Sequence, residues 1–257
     1  MNNLIGLSGK KGSGKDLVTR IIQIIDFHPE LNTKEILNRI DDTDYDYIDS
    51  GYKNKKFAYK LKKITCDLTG ISLKQLEDPK YKGMTVSEFT GMDWSWEKEG
   101  EIVDYTFREW LQLIGTEGMR NIIHPDIWVK SLFADYNEKS KWVISDTRFP
   151  NEADAIKERG GIVIRINRPY EIKVGDQVHS IHTDEIHTVI EIVNERSVRT
   201  DWEKENPRGQ LKSDLTPIHL YDQHFSETAL DDYDNFDYVI KNHGTIGDLI
   251  EKIREIL

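Results

Sequence analysis

The chain begins with an apolar run, a glycine-rich turn and an amphipathic segment, in that order. Leu4-Ile5-Gly6-Leu7 predicts a short buried strand. After the turn, residues 17–25 carry Leu, Val and Ile at helical spacing, which predicts a helix with one apolar face. The first 25 residues therefore predict a strand, a tight turn and a helix.

Further along, apolar periodicity alternates between strand and helix. Residues 28–56 are polar and acidic and predict a solvated connection with one short helix near 34–40. The segment 106–109 has the capping-box form T-x-x-E and predicts a helix that continues through Trp110, Leu111 and Ile114. The other predicted strands are 56–58, 142–145, 162–166 and 238–240, and the other predicted helices are Leu61 to Gly70, one from Pro125, 151–159 and 246–257.

The segment 171–221 departs from this alternation. Its helical period disappears, and short alternating runs appear at 172–174, 177–179, 187–192 and 218–220. We expect an inserted small β-barrel or twisted sheet there. Its histidines His179, His182 and His187 have spacings that fit no common zinc pattern.

The remaining β–α–β alternation predicts an α/β fold with a doubly wound parallel sheet. No apolar run approaches the roughly 20 residues that cross a bilayer, so we expect no membrane association. A single cysteine, Cys66, excludes an internal disulfide framework and indicates a cytoplasmic protein. The net charge of −11 argues against general nucleic-acid binding, so any anion site must be local.

Residues 9–16, Gly-Lys-Lys-Gly-Ser-Gly-Lys-Asp, predict a phosphate-binding loop between the first strand and helix. Gly9, Gly12 and Gly14 permit a backbone that turns its N–H groups around phosphates, and Lys11 and Ser13 complete the loop. Lys15 adds a positive charge, and the following helix turns its positive dipole end toward the same anion. Asp16 stands where the motif has Ser or Thr, and it either binds Mg²⁺ or caps the helix.

Two further segments carry candidate chemistry. Arg108, Gln112 and Gly115 share one helical stripe, which is either a ligand-binding face or a solvated one. Asp146, Thr147 and Arg148 follow a buried strand, and the carboxyl ends of parallel strands form the ligand crevice of such sheets. Asp146 can hold Mg²⁺ through water and Arg148 can neutralise a transferring phosphoryl group, unless the two form a structural ion pair.

With these residues in place, the chain resembles the phage-type deoxynucleoside monophosphate kinases of the P-loop nucleoside monophosphate kinase group. The resemblance is carried by the following segments: SGKKGSGKD at 8–16, FAYKLK at 57–62, FREWLQLIGTEGMR at 107–120, WVISDTRFPNE at 142–152, NRP at 167–169, HFSE at 224–227 and DYVIKN at 237–242. The family commonly has the lysine–aspartate ending of the loop, which favours this assignment.

The resemblance implies a P-loop kinase core over residues 1–170 and 222–257, with acceptor-binding helices at about 57–122 and the insertion in the lid position. It implies that the loop, Arg168 and Asn242 bind ATP. Lys62, Arg108, Gln112 and Arg120 would bind the acceptor. Lys15, Arg108, Asp146 and Arg148 would be catalytic, with Asp16 and Asp146 near Mg²⁺.

The implied reaction is ATP + dNMP → ADP + dNDP, which supplies nucleotides for DNA synthesis, in the host cytoplasm if the protein is phage-encoded. The residues leave open a kinase for another phosphorylated acceptor, such as dephospho-coenzyme A, and a nucleotide-dependent binding module. They also leave open whether the protein is a monomer or a homodimer. Acceptor-dependent ADP release separates a kinase from a binding module.

Overall fold

The computed structural model describes residues 2–40, 51–168, 170–174, 177–181 and 228–257. The described strands are β1 (Leu4–Ser8), β2 (Tyr52–Lys55), β3 (Trp96–Lys98), β4 (Glu101–Val103), β5 (Lys141–Ile144), β6 (Ile162–Asn167), β7 (Tyr170–Val174), β8 (Gln177–Ile181) and β9 (Tyr238–Lys241). The described helices are α1 (Lys15–Phe27), α2 (Thr33–Ile40), α3 (Tyr59–Thr69), α4 (Leu73–Glu77), α5 (Pro79–Lys82), α6 (Val86–Thr90), α7 (Phe107–Gln112), a π-helix (Leu113–Ile123), α8 (Ile127–Phe133), α9 (Pro150–Lys157) and α10 (Ile246–Ile256).

A five-stranded parallel sheet with the spatial order β2-β5-β1-β6-β9 forms the centre of the fold. The central strand β1 pairs with β5 on one side, Ile5 opposite Val143, and with β6 on the other, Ile5 opposite Ile162. Its apolar residues are fully buried, as expected for a parallel strand covered on both faces. This arrangement confirms the predicted α/β parallel-sheet fold.

Helices cover both faces of the sheet. Helices α1, α2 and α10 pack their apolar sides on one face, with Ile21, Ile36 and Ile250 fully buried. Residues of α3, α8 and α9 form a second core on the other face, around Trp128 and Ile156. A smaller core of Ile71, Leu76, Val86 and Phe107 lies under the short helices α4 to α7.

Local capping fixes the start of α7 and the end of α3 at the residues that the sequence predicts. The Thr106 hydroxyl accepts the Glu109 N–H at 3.3 Å, and the Glu109 carboxylate accepts the Thr106 N–H at 2.8 Å. This capping box starts α7 as predicted. Gly70 ends α3 with a φ of 74°, a left-handed conformation that favours glycine.

The predicted strand at 56–58 is wrong. Strand β2 ends at Lys55, and the chain turns at 57–58 into α3. The Asp146 carboxylate accepts the N–H groups of Phe57 and Ala58, at 2.7 and 3.0 Å. Those N–H groups are therefore not available to a strand ladder. The predicted short helix at 34–40 is confirmed as α2, and the rest of that polar connection contains the edge strand β2.

Two of the predicted strands in the insertion are confirmed. Strands β7 and β8 form an antiparallel hairpin, with Ile172 opposite His179. The predicted runs at 187–192 and 218–220 lie outside the described residues, as do His182 and His187, and the domain division stays a prediction. No helix within the described ranges is long and apolar enough to span a bilayer.

Candidate functional site

The glycine-rich loop lies at the carboxyl end of β1 and leads directly into α1. Gly12 and Gly14 have φ values of 78° and 101°, which a residue with a side chain rarely adopts. The Ser13 N–H donates to the Lys10 carbonyl oxygen at 3.1 Å and tightens the turn. The loop thus has the backbone form that a phosphate cradle needs, at the positive end of a 13-residue helix.

The ammonium group of Lys15 lies over this loop. Its Nζ donates to the carbonyl oxygens of Gly9 and Lys10 at 2.6 and 2.9 Å. These bonds hold the charge at the mouth of the loop, where a nucleotide phosphate would compete for it. The structure therefore places Lys15 as the sequence predicts, and its contact with ATP stays a prediction.

Asn242 joins the end of the chain to the loop. Its side-chain Nδ2 donates to the Ser13 carbonyl oxygen at 2.9 Å, and its own N–H donates to the Asn167 carbonyl oxygen at 2.7 Å. A Cβ at Gly14 would lie 2.7 Å from the same Nδ2, so Asn242 also packs closely on the loop. Asn242 thus supports the backbone of the glycine-rich loop, and its predicted contact with ATP stays a prediction. Arg168 follows the next strand, β6, and is exposed.

The turn after β5 lies beside the loop. The Thr147 N–H donates to the Leu7 carbonyl oxygen at 3.2 Å, which joins this turn to the carboxyl end of β1. The hydroxyls of Ser13 and Thr147 are buried without a hydrogen-bond partner among the described residues. Buried hydroxyls are normally satisfied, so these two groups suit a polar ligand at this edge of the sheet.

The two predicted Mg²⁺ ligands differ in their surroundings. The Asp16 side chain is 88% exposed on the first turn of α1, and its Oδ1 lies 3.9 Å from Lys56 Nζ. Each Asp146 oxygen accepts one backbone N–H and keeps one lone pair free. The described residues contain no cluster of three or more His, Cys, Asp or Glu side chains suited to a metal. Nucleotide-bound Mg²⁺ needs only one or two carboxylates, so this donor set fits it.

Cationic side chains gather where α3, α4, α5 and α7 meet. Lys62 Nζ on α3 donates to Glu77 Oε1 on α4 at 2.8 Å. Burial would raise the pKa of Glu77, but this hydrogen bond and the charges of Lys62, Lys56 and Lys82 lower it overall. The positive charges of three lysines therefore act on one carboxylate. Lys62 itself contacts this carboxylate, and its binding of the acceptor stays a prediction.

Lys82, the last residue of α5, belongs to the same group, and sequence reasoning missed it. Burial lowers the pKa of its ammonium group, and the positive charges of Lys62, Arg108 and Lys11 lower it further, while Glu77 opposes them. Lys82 thus lies within electrostatic reach of the acceptor-side residues Lys62 and Arg108 and of the loop residue Lys11. Asp78 and Pro79 predict the start of α5 from the sequence alone. The electrostatic effect of Arg108 on Lys82 depends instead on contacts between residues that are distant in sequence.

The helical stripe contains two half-buried polar residues and one buried glycine. Arg108 and Gln112 lie on α7, and Gly115 lies in the π-helix that continues it. A Cβ at Gly115 would lie 2.7 Å from Leu61 Cδ2, so the missing side chain lets α3 pack closely against the π-helix at this position. Its carbonyl oxygen accepts the indole N–H of Trp128 at 2.8 Å. Gly115 therefore belongs to a helix contact, and the roles of Arg108 and Gln112 in acceptor binding stay predictions.

Arg120 lies in a buried ion pair. Its guanidinium contacts the Glu152 carboxylate, lies 3.7 Å above the Phe149 ring and donates to the Pro125 carbonyl oxygen at 3.2 Å. Its direct contact with the acceptor stays a prediction. Glu152 also accepts the N–H of Arg148 at 2.8 Å, so the pair fixes the turn that carries Asp146 and Arg148. Burial raises the pKa of Glu152 to about 7, against the effect of Arg120.

Comparison with known proteins gives one consistent result. The model of the deoxynucleotide monophosphate kinase family matches residues 99–198. The "Putative deoxynucleotide monophosphate kinase" of Acanthamoeba polyphaga mimivirus is 31% identical over 180 residues, which is 65% of this chain and 74% of that protein. The family match includes Arg108 and the turn with Asp146, and it lies entirely outside the glycine-rich loop. The geometry of the glycine-rich loop therefore supports a kinase independently of the family match.

Proposed function

We propose that Mg²⁺-bound ATP is the phosphoryl donor for this chain, which belongs to the deoxynucleotide monophosphate kinase family and phosphorylates deoxynucleoside monophosphates. We further propose that the transfer occurs between the glycine-rich loop and the lysines of α3 to α5. One observation carries this proposal. Asp16, at the start of the helix that follows the loop, lies 3.9 Å from Nζ of Lys56, which shortly precedes the lysine-bearing helix α3. The glycine-rich loop therefore lies next to the segment that carries the proposed acceptor lysines.

In this arrangement the loop and Lys15 hold the ATP phosphates, and Lys62 and Arg108 hold the acceptor phosphate. Gln112, at the end of the same helix as Arg108, would hydrogen-bond the acceptor, and Arg168 would contact ATP. Arg120 acts on the site through Glu152 and the turn it fixes. Asp16 and Asp146 would hold Mg²⁺, which neutralises phosphate charge when bound.

An acceptor phosphate oxygen attacks the γ-phosphorus in line, the bond to the β-phosphate oxygen breaks, and ADP leaves. The acceptor phosphate is already anionic near neutral pH, so the chain needs no strong base. Its residues act by positioning two polyanions, neutralising their repulsion and excluding water that would otherwise accept the phosphoryl group. Arg148, on the turn beside the loop, would neutralise the transferring group.

The single cysteine also supports a cytoplasmic site for this reaction, because the chain needs no oxidising compartment. The insertion from residue 171 is proposed as a lid, following the position of lids in kinases with this loop.

The test is ADP formation from ATP and Mg²⁺ with each of dAMP, dGMP, dCMP and dTMP and the matching ribonucleotides. We expect strong stimulation by one or more deoxynucleotides. Lys15→Ala should lower kcat about 100-fold or more, because a preorganised cation at the phosphates contributes about that much. Lys34→Ala is the matched control, since Lys34 is exposed on α2. Near-normal turnover of a folded Lys15→Ala protein would remove the loop from the mechanism.

A further inference from the structure

This inference rests on the proposed function: we infer that Asp231 is a positioning residue of the donor site, which holds the glycine-rich loop in its ATP-binding form by joining Lys10 to Arg165. The Lys10 ammonium group contacts one oxygen of the Asp231 carboxylate, Oδ2. The other oxygen, Oδ1, accepts a hydrogen bond from Arg165 Nη2 at 3.2 Å. Asp231 and Arg165 lie outside every motif that carries the family resemblance.

The backbone of Lys10 carries two of the contacts that shape the loop. Its carbonyl oxygen accepts the Ser13 N–H at 3.1 Å and a hydrogen bond from Lys15 Nζ at 2.9 Å. A shift of residue 10 would therefore move both the turn and the ammonium group that is proposed to bind the ATP phosphates. The contact between the Lys10 side chain and Asp231 restricts that shift.

Arg165, on β6, is the buried end of this bridge. Its side chain is only 11% exposed, and its Nη1 donates to the Ser8 hydroxyl oxygen at 3.0 Å. Its Nε donates to the side-chain oxygen of Asn167 at 3.2 Å. Ser8 is the last residue of β1 and directly precedes the loop. Because a guanidinium presents its N–H groups in fixed directions, Arg165 sets the positions of both the loop entry and Asp231.

The segment that carries Asp231 is itself held to the core. The neighbouring Leu230 is buried in the second core, and the Asp231 N–H donates to the Thr228 carbonyl oxygen at 2.9 Å. Further along, the Asp237 carboxylate accepts the Val163 N–H at 2.7 Å, and the Asp237 N–H donates to the Val163 carbonyl oxygen at 2.9 Å. Asp231 therefore loses less conformational entropy in holding Lys10 than a side chain on a free segment would.

The exposure of the bridge determines how large its effect should be. The side chains of Lys10 and Asp231 are 22% and 40% exposed, so water partly screens their attraction. Loss of the bridge should therefore weaken ATP binding moderately and leave the protein folded. The proposed acceptor residues Lys62 and Arg108 lie on other elements, α3 and α7, so we expect acceptor binding to stay unchanged.

Asp232 provides a matched control one residue along the chain. It is exposed, like Asp231. Asp231→Asn and Asp232→Asn remove the same charge from the same segment and keep nearly the same side-chain volume. A difference between the two variants therefore reports the bridge and not the net charge.

The first experiment measures steady-state kinetics for the wild type, Asp231→Asn, Asp231→Glu and Asp232→Asn, with Mg²⁺, ATP and the deoxynucleoside monophosphate that the wild type uses best. We expect Asp231→Asn to raise KM for ATP about three- to tenfold, as for a charge-assisted hydrogen bond that is partly exposed. KM for the acceptor should stay within about twofold. Asp231→Glu should recover part of the loss, and Asp232→Asn should match the wild type.

A second experiment tests whether Asp231 acts through Lys10. Calorimetric titration with ATP compares Asp231→Asn in the wild type and in the Lys10→Met background, where the bridge is already broken. The second background should show less than about a twofold further loss of affinity, because the two residues act as one unit.

An equal loss of ATP affinity in both backgrounds would overturn the inference, and so would an affinity of Asp231→Asn within twofold of the wild type. Equal increases in KM for ATP and for the acceptor would show a general structural effect and would also overturn it. A wild type that binds ATP but forms no ADP in response to an acceptor would overturn the proposed function instead, so the two failures are distinguishable.

Discussion

The side-chain amide of Asn242 donates a hydrogen bond of 2.9 Å to the carbonyl oxygen of Ser13 and so fixes the glycine-rich loop from the far end of the chain. The same amide nitrogen fills the space that a Cβ on Gly14 would occupy. The loop conformation is therefore set by β9 as well as by its own glycines, and loop mutations are not the only changes that should affect ATP binding.

Asn242→Ala should raise KM for ATP about three- to tenfold, because one hydrogen bond to the loop is worth about 1 kcal/mol. KM for the acceptor should stay within about twofold, since Asn242 contacts the donor side. Steady-state kinetics with each substrate varied in turn measures both values. His243→Ala, at the exposed neighbouring position, is the control. An unchanged KM for ATP would show that the loop keeps its shape without this bond.

Asp146→Ala should lower the free energy of unfolding by about 2 to 3 kcal/mol, because it leaves the N–H groups of Phe57 and Ala58 without their acceptor. Urea denaturation measures this change, and Asp135→Ala, at an exposed position, is the control. A stability equal to that of the wild type would show that water replaces the carboxylate at this turn.

Asp146→Asn separates the proposed metal role from the structural one. The amide oxygen still accepts one N–H, but the charge that would attract Mg²⁺ is lost. We expect the Mg²⁺ concentration for half-maximal rate to rise several-fold, as it would for one carboxylate removed from a hydrated Mg²⁺ site. A variant with reduced stability and an unchanged Mg²⁺ requirement would leave Asp146 with the turn-fixing role alone.

Glu152→Gln should change how stability depends on pH. Burial raises the pKa of Glu152 to about 7, so the folded protein binds this proton more tightly than the unfolded chain. The corresponding stabilisation is present below the ordinary pKa of 4.5 and is lost as pH rises toward 7. Between pH 5 and 8 the unfolding free energy of the wild type should therefore fall by roughly 1 to 3 kcal/mol relative to that of Glu152→Gln. Urea denaturation at several pH values gives this difference, and a constant difference would contradict the expectation.

Gly115→Ala tests the close contact between the π-helix and α3. The added Cβ would lie 2.7 Å from Leu61 Cδ2, so we expect a loss of about 1 to 2 kcal/mol in unfolding free energy. Gly118→Ala, in the same π-helix, meets only a backbone oxygen at 3.4 Å and should cost less. In the Leu61→Ala background, Gly115→Ala should lower the unfolding free energy by a smaller amount. The coupling energy between the two substitutions should be about 0.5 to 1 kcal/mol or more. Additive effects would show that Leu61 moves aside freely.

Local chemistry explains which parts of this molecule were predictable from sequence. The glycine-rich loop, the Thr106 capping box and the Gly70 helix end depend on residues a few positions apart, and the structure has all three where expected. The buried strands β1 and β5 have continuous apolar runs, and the run of β6 is interrupted only by Arg165. Strand β2, by contrast, has the sequence YKNK and lies at the sheet edge, where no described strand pairs with its outer side and polar residues are common.

Of the parts that sequence reasoning missed, some have local signals and others depend on distant contacts. The short helices α4 and α6 begin with the capping boxes Ser72–Gln75 and Thr85–Glu88, so their signals were present. The pairing of segment 84–86 with segment 105–107 depends on backbone hydrogen bonds between residues distant in sequence, which no local pattern encodes. The burial of Arg120 against Glu152 likewise follows from how the π-helix and α9 pack.

The central position of β1 has a consequence for how this protein is made. Strand β1, which leads into the glycine-rich loop, leaves the ribosome before its partners β5 and β6, which are synthesised more than a hundred residues later, with Leu4 opposite Trp142 and Ile5 opposite Ile162. Pairings so distant in sequence form slowly, since a long chain must close before they do. The nascent chain thus carries the sequence of the glycine-rich loop long before the sheet that holds this loop can form, and catalytic competence arises late in synthesis.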